Sequence, residues 1–250
     1  MAAALHGGHI RDCGICGGFT SEPPHRLDPA ALPRRYQHHH ISIDEEGTAS
    51  TFRALKEVFS RHGLPMSLYT DRGAHYFHTT KAGEIDRGQP TQVGRALARL
   101  GVEHIGAYSP QARGRSERAF LTLQDRLVKE LALAGIEEIE AVNAFIRDVY
   151  LPAHNARFAV APAGAGSAFT PIPSVDLEEI LCVQEERQVG NDNCVSYQKL
   201  KLQIPESPMR PHFVKARVKV HVYPDGSHAL FHGPRCIGRY DKHGNLENAA

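Results

Sequence analysis

Helix-like and strand-like hydrophobic patterns alternate through the middle of this 250-residue chain, and the alternation restricts its fold more than any other feature. Phe52, Leu55 and Phe59 have the spacing of one helix face. Thr48 is suited to cap that helix, and Gly63 is suited to end it. We therefore predict a helix from Thr48 to the residue before Gly63.

Further strands and helices follow in the same alternating order. We predict buried strands over 65–70 and 102–108, and helices over 91–100, 116–134 and 138–149. The residues predicted to face inward from these helices are Val93, Leu97, Leu100, Phe120, Leu123, Leu127, Leu131, Val142, Phe145 and Val149. The second helix follows Thr91, a residue type that caps helices. Strands alternating with helices are typical of an α/β fold with a partly parallel sheet.

Composition divides the chain into four stretches. Residues 1–40 are rich in Gly, Pro and His and have no periodicity, so we expect them to be irregular. Residues 41–160 carry the α/β pattern. Residues 161–192 combine a Gly- and Ala-rich linker with a short acidic segment. From 193 to 241 the pattern is that of a small β domain, which we predict to be barrel-like.

The β domain contains one strictly alternating strand, residues 214–222. Valine and alanine occupy one face of it, and Lys215, Arg217, Lys219 and His221 occupy the other. A basic sheet face suits the phosphates of a nucleic acid. It is equally an ordinary solvated surface of a sheet whose other face is buried.

Composition also excludes some classes of protein. No apolar run approaches the roughly 20 residues that a membrane helix needs, and the N-terminus lacks the order of a signal peptide. We therefore expect a cytoplasmic protein without a membrane partner. Five cysteines are too few and too scattered for a disulfide framework.

Cysteine and histidine spacing near the N-terminus leaves a zinc-binding protein as one alternative. Cys13 and Cys16 have the spacing of a metal knuckle, and His6 and His9 lie just upstream. The other reading is a chance pair of reduced thiols, because no core-forming pattern surrounds these residues.

Two acidic residues occupy positions where catalytic acids are often found. Asp71 closes the predicted strand 65–70, and strand ends in open α/β sheets point toward the site crevice. Glu117 lies in the first turn of the predicted helix 116–134, just after a basic loop. Each also has a structural explanation, because Asp71 suits the turn Thr-Asp-Arg-Gly and Glu117 suits a helix cap.

The segments around these acids resemble a known family. Tyr69-Thr-Asp71-Arg-Gly73 is followed by Tyr108-Ser-Pro110 and by Ala112-Arg-Gly-Arg-Ser-Glu117-Arg. In this order the motifs resemble the DDE transposases and retroviral-type integrases, most nearly the insertion-sequence transposases of the ISNCY type. The resemblance extends through His154-Asn-Ala-Arg-Phe158 and covers residues 44–240.

The resemblance implies an RNase H-like integrase core that cleaves and joins DNA strands. Asp71 and Glu117 match the second and third acids of the family, so they are the implied catalytic residues and the implied ligands of Mg²⁺ or Mn²⁺. Two such ions stabilise the attacking and leaving oxygens together, and Mg²⁺ prefers carboxylate oxygens. DNA is the implied partner, a homo-oligomer the implied working form, and the nucleoid the implied location.

The first acid of the family has no clear counterpart in this chain. By distance it would fall near Ala31, whereas Asp28 lies outside any strand pattern and Asp44 comes too late, next to the following helix. The apolar strands that open the family's sheet and its upstream helix-turn-helix domain are also missing. We therefore expect a truncated or frameshifted gene start and impaired catalysis; the alternative is a diverged first strand.

Charged residues are segregated although the net charge is only +1. Residues 95–130 contain seven basic and four acidic residues, and residues 199–221 contain six and one. The residues that we expect to contact DNA are Arg72, Arg113, Arg115, Arg118, Lys215, Arg217 and Lys219. The same distribution supports a second interpretation, a non-catalytic DNA-binding transposase remnant that acts through its basic β domain.

Overall fold

The computed structural model describes residues 11–12, 19–20, 42–43, 47–80, 84–86, 88–107, 125–158, 169–206 and 210–248. The chain divides into two compact units, Met1–Val175 and Asp176–Ala250. The second unit therefore begins within the stretch predicted to be a linker and acidic segment, residues 161–192.

Short strands build the first unit. They are β1 (Arg11–Asp12), β2 (Phe19–Thr20), β3 (Ser42–Ile43), β4 (Leu64–Pro65), β5 (Ser67–Thr70), β6 (Glu103–Gly106) and β7 (Phe169–Thr170). β5 pairs in parallel with β6 and antiparallel with β2, so the predicted partly parallel sheet is confirmed. β1 pairs with β3 and β4 pairs with β7, both antiparallel. Residues 1–40, which we expected to be irregular, thus contribute the strands β1 and β2.

Helix α1 (Thr48–His62) coincides with the first predicted helix and buries the apolar face that predicted it. Its cap differs from the prediction, because Gly47 rather than Thr48 is the N-cap residue. The Gly47 N–H donates to Ser50 Oγ at 3.0 Å, and the Ser50 hydroxyl donates to the Gly47 carbonyl at 2.9 Å. Ser50 therefore supplies hydrogen-bond partners for backbone groups at the start of the helix, where such groups lack partners within the helix.

Helix α2 (Gln92–Arg99) begins as the sequence predicts. Thr91 is its N-cap, and the Thr91 Oγ accepts a hydrogen bond from the Gly94 N–H at 3.1 Å. Val93 and Leu97 are fully buried. Because α2 lies between β5 and β6 along the chain, it supplies the crossover that two parallel strands require.

The remaining helices of the first unit include a π-helical turn. After α3 (residues 125–134) come α4 (Ile139–Phe145), a π-helical segment (Ile146–Tyr150) and α5 (Leu151–Phe158), the last three without a break. Val149, predicted to face inward, is 53% exposed, and Tyr150 is buried instead. A π turn holds more residues than an α turn, so it moves the buried face on by one residue.

None of the helices within the described ranges is long and apolar enough to cross a membrane.

The second unit is a β structure preceded by one helical turn. Its elements are α6 (Leu177–Ile180), β8 (Val183–Gln188), β9 (Cys194–Tyr197), β10 (Leu200–Gln203), β11 (Arg217–Val222), β12 (His228–His232), β13 (Arg235–Tyr240) and β14 (Leu246–Asn248). Five strands form an antiparallel sheet in the order β14-β13-β12-β11-β8, and β9 and β10 form a hairpin. The described edge strands β8 and β14 do not pair with each other, so the predicted barrel is not closed.

One apolar core joins the hairpin to the sheet, which explains why the sheet stays open. Val195 and Leu202 of the hairpin pack in the same buried cluster as Val220 of β11. The Tyr240 hydroxyl of β13 donates to the Gln203 carbonyl of β10 at 2.7 Å. The hairpin therefore covers the apolar face that a barrel would cover by closing on itself.

The backbone at Gly63, the residue between α1 and β4, lies very close to strand β7. Gly63 and Gly101 both have positive φ, 93° and 73°. A Cβ at Gly63 would lie 2.2 Å from the Thr170 carbonyl oxygen, whereas one at Gly101 would meet nothing within 4 Å. We expect Gly101→Ala to lower the free energy of unfolding by about 1–2 kcal/mol, and Gly63→Ala by about 1–3 kcal/mol more.

Chemical denaturation followed by circular dichroism measures both losses of stability. Gly101→Ala is the control for a positive φ without the steric overlap. Gly63 has φ 93° and ψ −168°, a conformation that is almost confined to glycine, so part of its larger loss is conformational. Equal losses for the two variants would contradict the close approach of β4 and β7.

Candidate active site and nucleic-acid interface

Asp71 lies at the carboxyl edge of the parallel pair β5–β6. It is the first residue after β5, it is half-buried, and its Oδ1 accepts a hydrogen bond from the Gly73 N–H at 2.9 Å. The Ala107 N–H donates to the Thr70 carbonyl at 2.9 Å, so the chain leaves both strands at the same edge. The turn that Thr-Asp-Arg-Gly predicts is therefore present, and it holds the carboxylate at the edge where α/β proteins carry their sites.

His104 of β6 fixes the end of β5, a role that sequence analysis missed. The Thr70 hydroxyl donates to the Asp71 carbonyl at 2.9 Å, and its oxygen lies 2.8 Å from His104 Nε2. Burial, with the nearby charge of His75 adding to it, lowers the pKa of His104 to about 4. The ring is therefore neutral at pH 7, and with the Thr70 proton already donated, Nε2 carries the hydrogen and donates.

The loop after Asp71 is a packed aromatic segment. The N–H groups of Tyr76 and Phe77 both donate to the Gly73 carbonyl, at 2.9 and 3.0 Å, and the Thr91 hydroxyl donates to the Tyr76 carbonyl at 2.9 Å. Tyr76 is fully buried, and Phe77 is half-buried. The cap of α2 thus anchors this loop, so its conformation is tied to the start of that helix.

The structure does not bring all the predicted site residues together. Arg72 is exposed beside Asp71, and its Cγ would lie 3.4 Å from a Cβ at Gly106, so its stem covers the end of β6. Glu117, Arg113, Arg115 and Arg118 lie outside the described residues, as do Cys13, Cys16, His6 and His9.

Asp71 has the donor chemistry that Mg²⁺ or Mn²⁺ requires. A carboxylate is a hard oxygen ligand, and Mg²⁺ in proteins is usually held by one or two of them with water and phosphate oxygens. Within the ranges that the structure describes, no group of three His, Cys, Asp or Glu residues could hold a metal ion. Asp71 therefore fits one position of such a site, and Glu117 is the further ligand that the resemblance implies.

In the second unit, Arg217 and Lys219 lie exposed on one face of β11, here called the basic face. Lys219 is directly opposite Glu186 of β8 in the ladder. Strand β11 begins at Arg217 rather than at the predicted residue 214, because Lys215 occupies a turn with φ 62°. Lys215 is exposed in that turn and is not part of the strand face.

His221 does not extend the basic face, which corrects the prediction that grouped it with the exposed bases. It alternates onto the same side of β11, but it is buried, and its ring stacks on Phe231 at 4.2 Å. Its Nδ1 lies 2.9 Å from Glu179 Oε2 of α6. The helical turn α6 contributes the carboxylate that contacts His221, and this contact spans 42 residues of sequence, so no local pattern reveals it.

Glu179 is the centre of a polar cluster, the Glu179 network, which also includes His221, Tyr223 and Arg239. The Tyr223 hydroxyl lies 2.9 Å from both carboxylate oxygens, and the Arg239 guanidinium donates to Oε1 at 2.6 Å. Burial by itself would raise the pKa of Glu179, but the hydrogen bonds from Arg239, Tyr223 and His221 outweigh it and hold the pKa below its usual value. The positive charge of Arg239 is thus balanced by the carboxylate of Glu179, so Arg239 adds little to the charge of the basic face.

Comparison with known proteins gives two informative sequence matches. No protein-family model matches the chain. The chain is 33% identical over 186 residues to a putative transposase, y4bF, of Sinorhizobium fredii, covering 74% of this chain and 40% of that protein. It is 28% identical over 158 residues to the transposase for insertion sequence IS1202 of Streptococcus pneumoniae, covering 62% and 34%.

The chain is related to transposases. The resemblance drawn from the motifs around Asp71 and Glu117 is thereby confirmed at the level of transposases. The chain spans 40% or less of the length of these two curated transposases.

One solved structure is also similar to this chain. It is the cryo-EM structure of the simian T-cell lymphotropic virus intasome in complex with PP2A regulatory subunit B56 gamma. It has a TM-score of 0.30 and 13% identity and covers 85% of this chain and 67% of that one. The sequence matches, not this structure, carry the relationship.

The Glu179 network predicts how the second unit responds to acid. Because the pKa of Glu179 is lower in the folded protein than the ordinary 4.5, its stabilisation is complete above pH 4.5 and is lost as the pH falls through the folded value. We expect Glu179→Gln to lower the free energy of unfolding at pH 7 by about 1–3 kcal/mol, since it removes the charged acceptor of three hydrogen bonds.

Denaturation of wild type and Glu179→Gln at pH 7, 5, 4 and 3 measures this dependence. The difference between them should narrow below pH 4.5, whereas the exposed Glu206→Gln control should match wild type at pH 7. A difference that stays constant down to pH 3 would show that the Glu179 charge does not stabilise the fold.

Proposed function

We propose that this chain acts in DNA transposition as a protein with an RNase H-like, DDE-type core that binds DNA and a divalent cation but is impaired in strand cleavage. The observation that carries the proposal is the half-buried Asp71 carboxylate at the carboxyl edge of β5–β6, in a chain related to transposases. The family motif that contains Asp71 and the motifs that follow it in the chain support the DDE assignment.

Asp71 and Glu117 are the residues that would hold Mg²⁺ or Mn²⁺. When bound, the ion supplies Lewis-acid stabilisation of the reacting phosphoryl oxygens. The Gly73 N–H fixes one oxygen of Asp71, so the carboxylate is oriented before a ligand arrives. Arg72 beside it, and Arg113, Arg115 and Arg118 around Glu117, would neutralise DNA phosphates near these acids.

Impaired cleavage follows from the number of acids in the motif. Two-metal phosphoryl transfer needs carboxylates for both ions, and no residue of this chain matches the first acid of the family. The pair Asp71 and Glu117 would then bind one ion weakly. The working form of such a protein would be a homo-oligomer or a mixed assembly with an intact transposase.

A second candidate function, DNA binding without any catalysis, is favoured by the basic face. Arg217 and Lys219 are exposed, and neither has an ion-pair partner among the described residues. Lys215 is exposed just before them in the chain. Phosphate contacts from such residues bind DNA without sequence preference and weaken steeply with salt.

Nicking of a supercoiled plasmid and cleavage of transposon-end duplex DNA in Mn²⁺ test the proposed impairment. We expect wild type to cleave no more than Asp71→Asn, because the carboxylate set is incomplete. We also expect Mn²⁺ binding, followed by electron paramagnetic resonance, to weaken in Asp71→Asn and to be unchanged in the exposed control Asp148→Asn. Robust cleavage that Asp71→Asn abolishes would overturn the impairment and leave the assignment of Asp71 standing.

The basic face predicts a charge-specific loss of DNA affinity. We expect Arg217→Gln with Lys219→Gln to reduce the salt dependence of duplex binding by about one phosphate contact per residue and to weaken binding about tenfold or more at moderate salt. Fluorescence anisotropy at several salt concentrations measures both. Lys201→Gln, on the hairpin and paired with Asp192 at 2.7 Å, is the control; an equal effect there would show that net charge alone matters.

A further inference from the structure

A side-chain contact between β6 and β5 lies directly before the candidate acid. In the parallel register Leu68 is opposite His104 and Thr70 is opposite Gly106, so the side chains of Thr70 and His104 project from the same face of the sheet. Thr70 is buried, and its hydroxyl oxygen lies 2.8 Å from His104 Nε2. The strand register therefore sets this contact.

The Thr70 hydroxyl has one proton and two contacts, which determines the direction of each. It donates the proton to the Asp71 carbonyl at 2.9 Å. Its oxygen then accepts the second hydrogen bond, so His104 Nε2 is the donor. These two hydrogen bonds, from His104 to Thr70 and from Thr70 to the Asp71 carbonyl, are here called the Thr70 bridge.

The Thr70 bridge and the following turn hold Asp71 from two sides. The bridge ends on the Asp71 backbone, whereas the Gly73 N–H donates to the Asp71 side chain at 2.9 Å. A carboxylate with a fixed backbone and one fixed oxygen has little conformational freedom left. A ligand that is fixed in this way before a cation arrives loses less entropy when the cation binds.

Aromatic rings cover His104 and keep the Thr70 bridge in place. Phe77 stacks on His104 with ring centroids 4.1 Å apart, and Tyr76 meets the same ring edge-on at 5.8 Å. Gly106 leaves room for this stack, because a Cβ there would lie 3.2 Å from Phe77 Cε2. Burial lowers the pKa of His104 to about 4, so the ring that donates to Thr70 is neutral at pH 7.

We propose that His104 is a positioning residue for Asp71, and that it increases the affinity of the Asp71 carboxylate for a divalent cation by holding the Thr70 bridge. The inference rests on the proposed function, which assigns the cation to Asp71. His104 acts through Thr70 and needs no contact with the cation. Residues that orient a metal ligand without touching the metal commonly change metal affinity by about ten- to a hundredfold.

Mn²⁺ binding followed by electron paramagnetic resonance tests the proposal, counting only the binding that Asp71→Asn abolishes. His104→Phe keeps a flat ring against Phe77 and removes the donor. Thr70→Val keeps the shape of threonine and removes the hydroxyl. We expect each variant to weaken Mn²⁺ binding about tenfold. The double variant should bind no more weakly than either single one, because both substitutions break the same bridge.

Two conservative variants separate positioning from a general loss of structure. His104→Gln retains an N–H donor that can reach Thr70, and Thr70→Ser retains the hydroxyl, so both should recover most of the Mn²⁺ affinity. His228→Phe, which replaces a buried histidine of the second unit, should bind Mn²⁺ as wild type does. If His104→Phe lowers the free energy of unfolding but leaves Mn²⁺ affinity unchanged, the proposal is overturned.

Two measurements without metal distinguish this proposal from the proposed function. Nuclear magnetic resonance of the ¹⁵N-labelled imidazole should find the His104 proton on Nε2 at pH 7, and a proton on Nδ1 overturns the Thr70 bridge. The Gly73 amide, which donates to Asp71, should exchange its hydrogen faster in His104→Phe than in wild type or His104→Gln.

The two sets of results fail separately. Faster Gly73 exchange in His104→Phe, with the proton on Nε2, supports the positioning role even if wild type binds no Mn²⁺ and the proposed cation site falls. Conversely, Mn²⁺ binding that depends on Asp71 but is the same in His104→Phe and wild type overturns the positioning role and leaves the cation site standing.

Discussion

The parallel pairing of β5 with β6 is the constraint on which the first unit depends. Parallel strands cannot be joined by a tight turn, so the chain must make a crossover, and α2 with its preceding loop provides it. The same pairing brings two strand ends to one edge of the sheet. Asp71 leaves from one end and Ala107 from the other, and a hydrogen bond between Ala107 N and the Thr70 carbonyl holds the two exits together.

The loop after β5 shows how this edge is kept rigid without regular structure. Gly73 receives backbone hydrogen bonds from the aromatic segment and donates one to Asp71. Thr91 caps α2 and also donates to the carbonyl of Tyr76, so one hydroxyl serves the helix and the loop together. The positions of the acid, the loop and the helix are therefore linked. Hydrogen bonds connect Thr91 to Tyr76, Tyr76 to Gly73 and Gly73 to Asp71, so a substitution at Thr91 would also affect the position of Asp71.

The net charge of +1 is not the sum of an acidic unit and a basic unit, because the second unit, residues 176–250, contains ten acidic and ten basic residues. Arg217 and Lys219 are therefore a local pair of exposed bases within a neutral unit. Arg239 is matched by Glu179 and so does not enlarge the basic face. If the second unit binds DNA, its phosphate contacts depend on such exposed side chains and not on a surplus of charge in the unit.

Local signals predicted the parts of the fold that depend on neighbours in sequence. The apolar spacing of α1, the Thr91 cap and the valines of β11 were sufficient for those elements, because each depends on contacts within a few residues. The contacts of His221 with Glu179 and of His104 with Thr70 join positions 42 and 34 residues apart. A periodic pattern in the sequence cannot predict such distant contacts. The barrel was predicted wrongly because alternation shows that a face is buried, not what covers it.

The π-helical turn at Ile146–Tyr150 has a consequence for comparing this chain with its relatives. Within a continuous α-helix, positions seven apart share a face, and Val142 with Val149 would form such a pair. Here Val142 and Tyr150 are buried and Val149 is open to solvent, so partners lie eight apart across this turn. Compensating substitutions between the two halves of this helix should therefore follow that longer interval, and a helical wheel drawn from the first half would assign His154 to the wrong side.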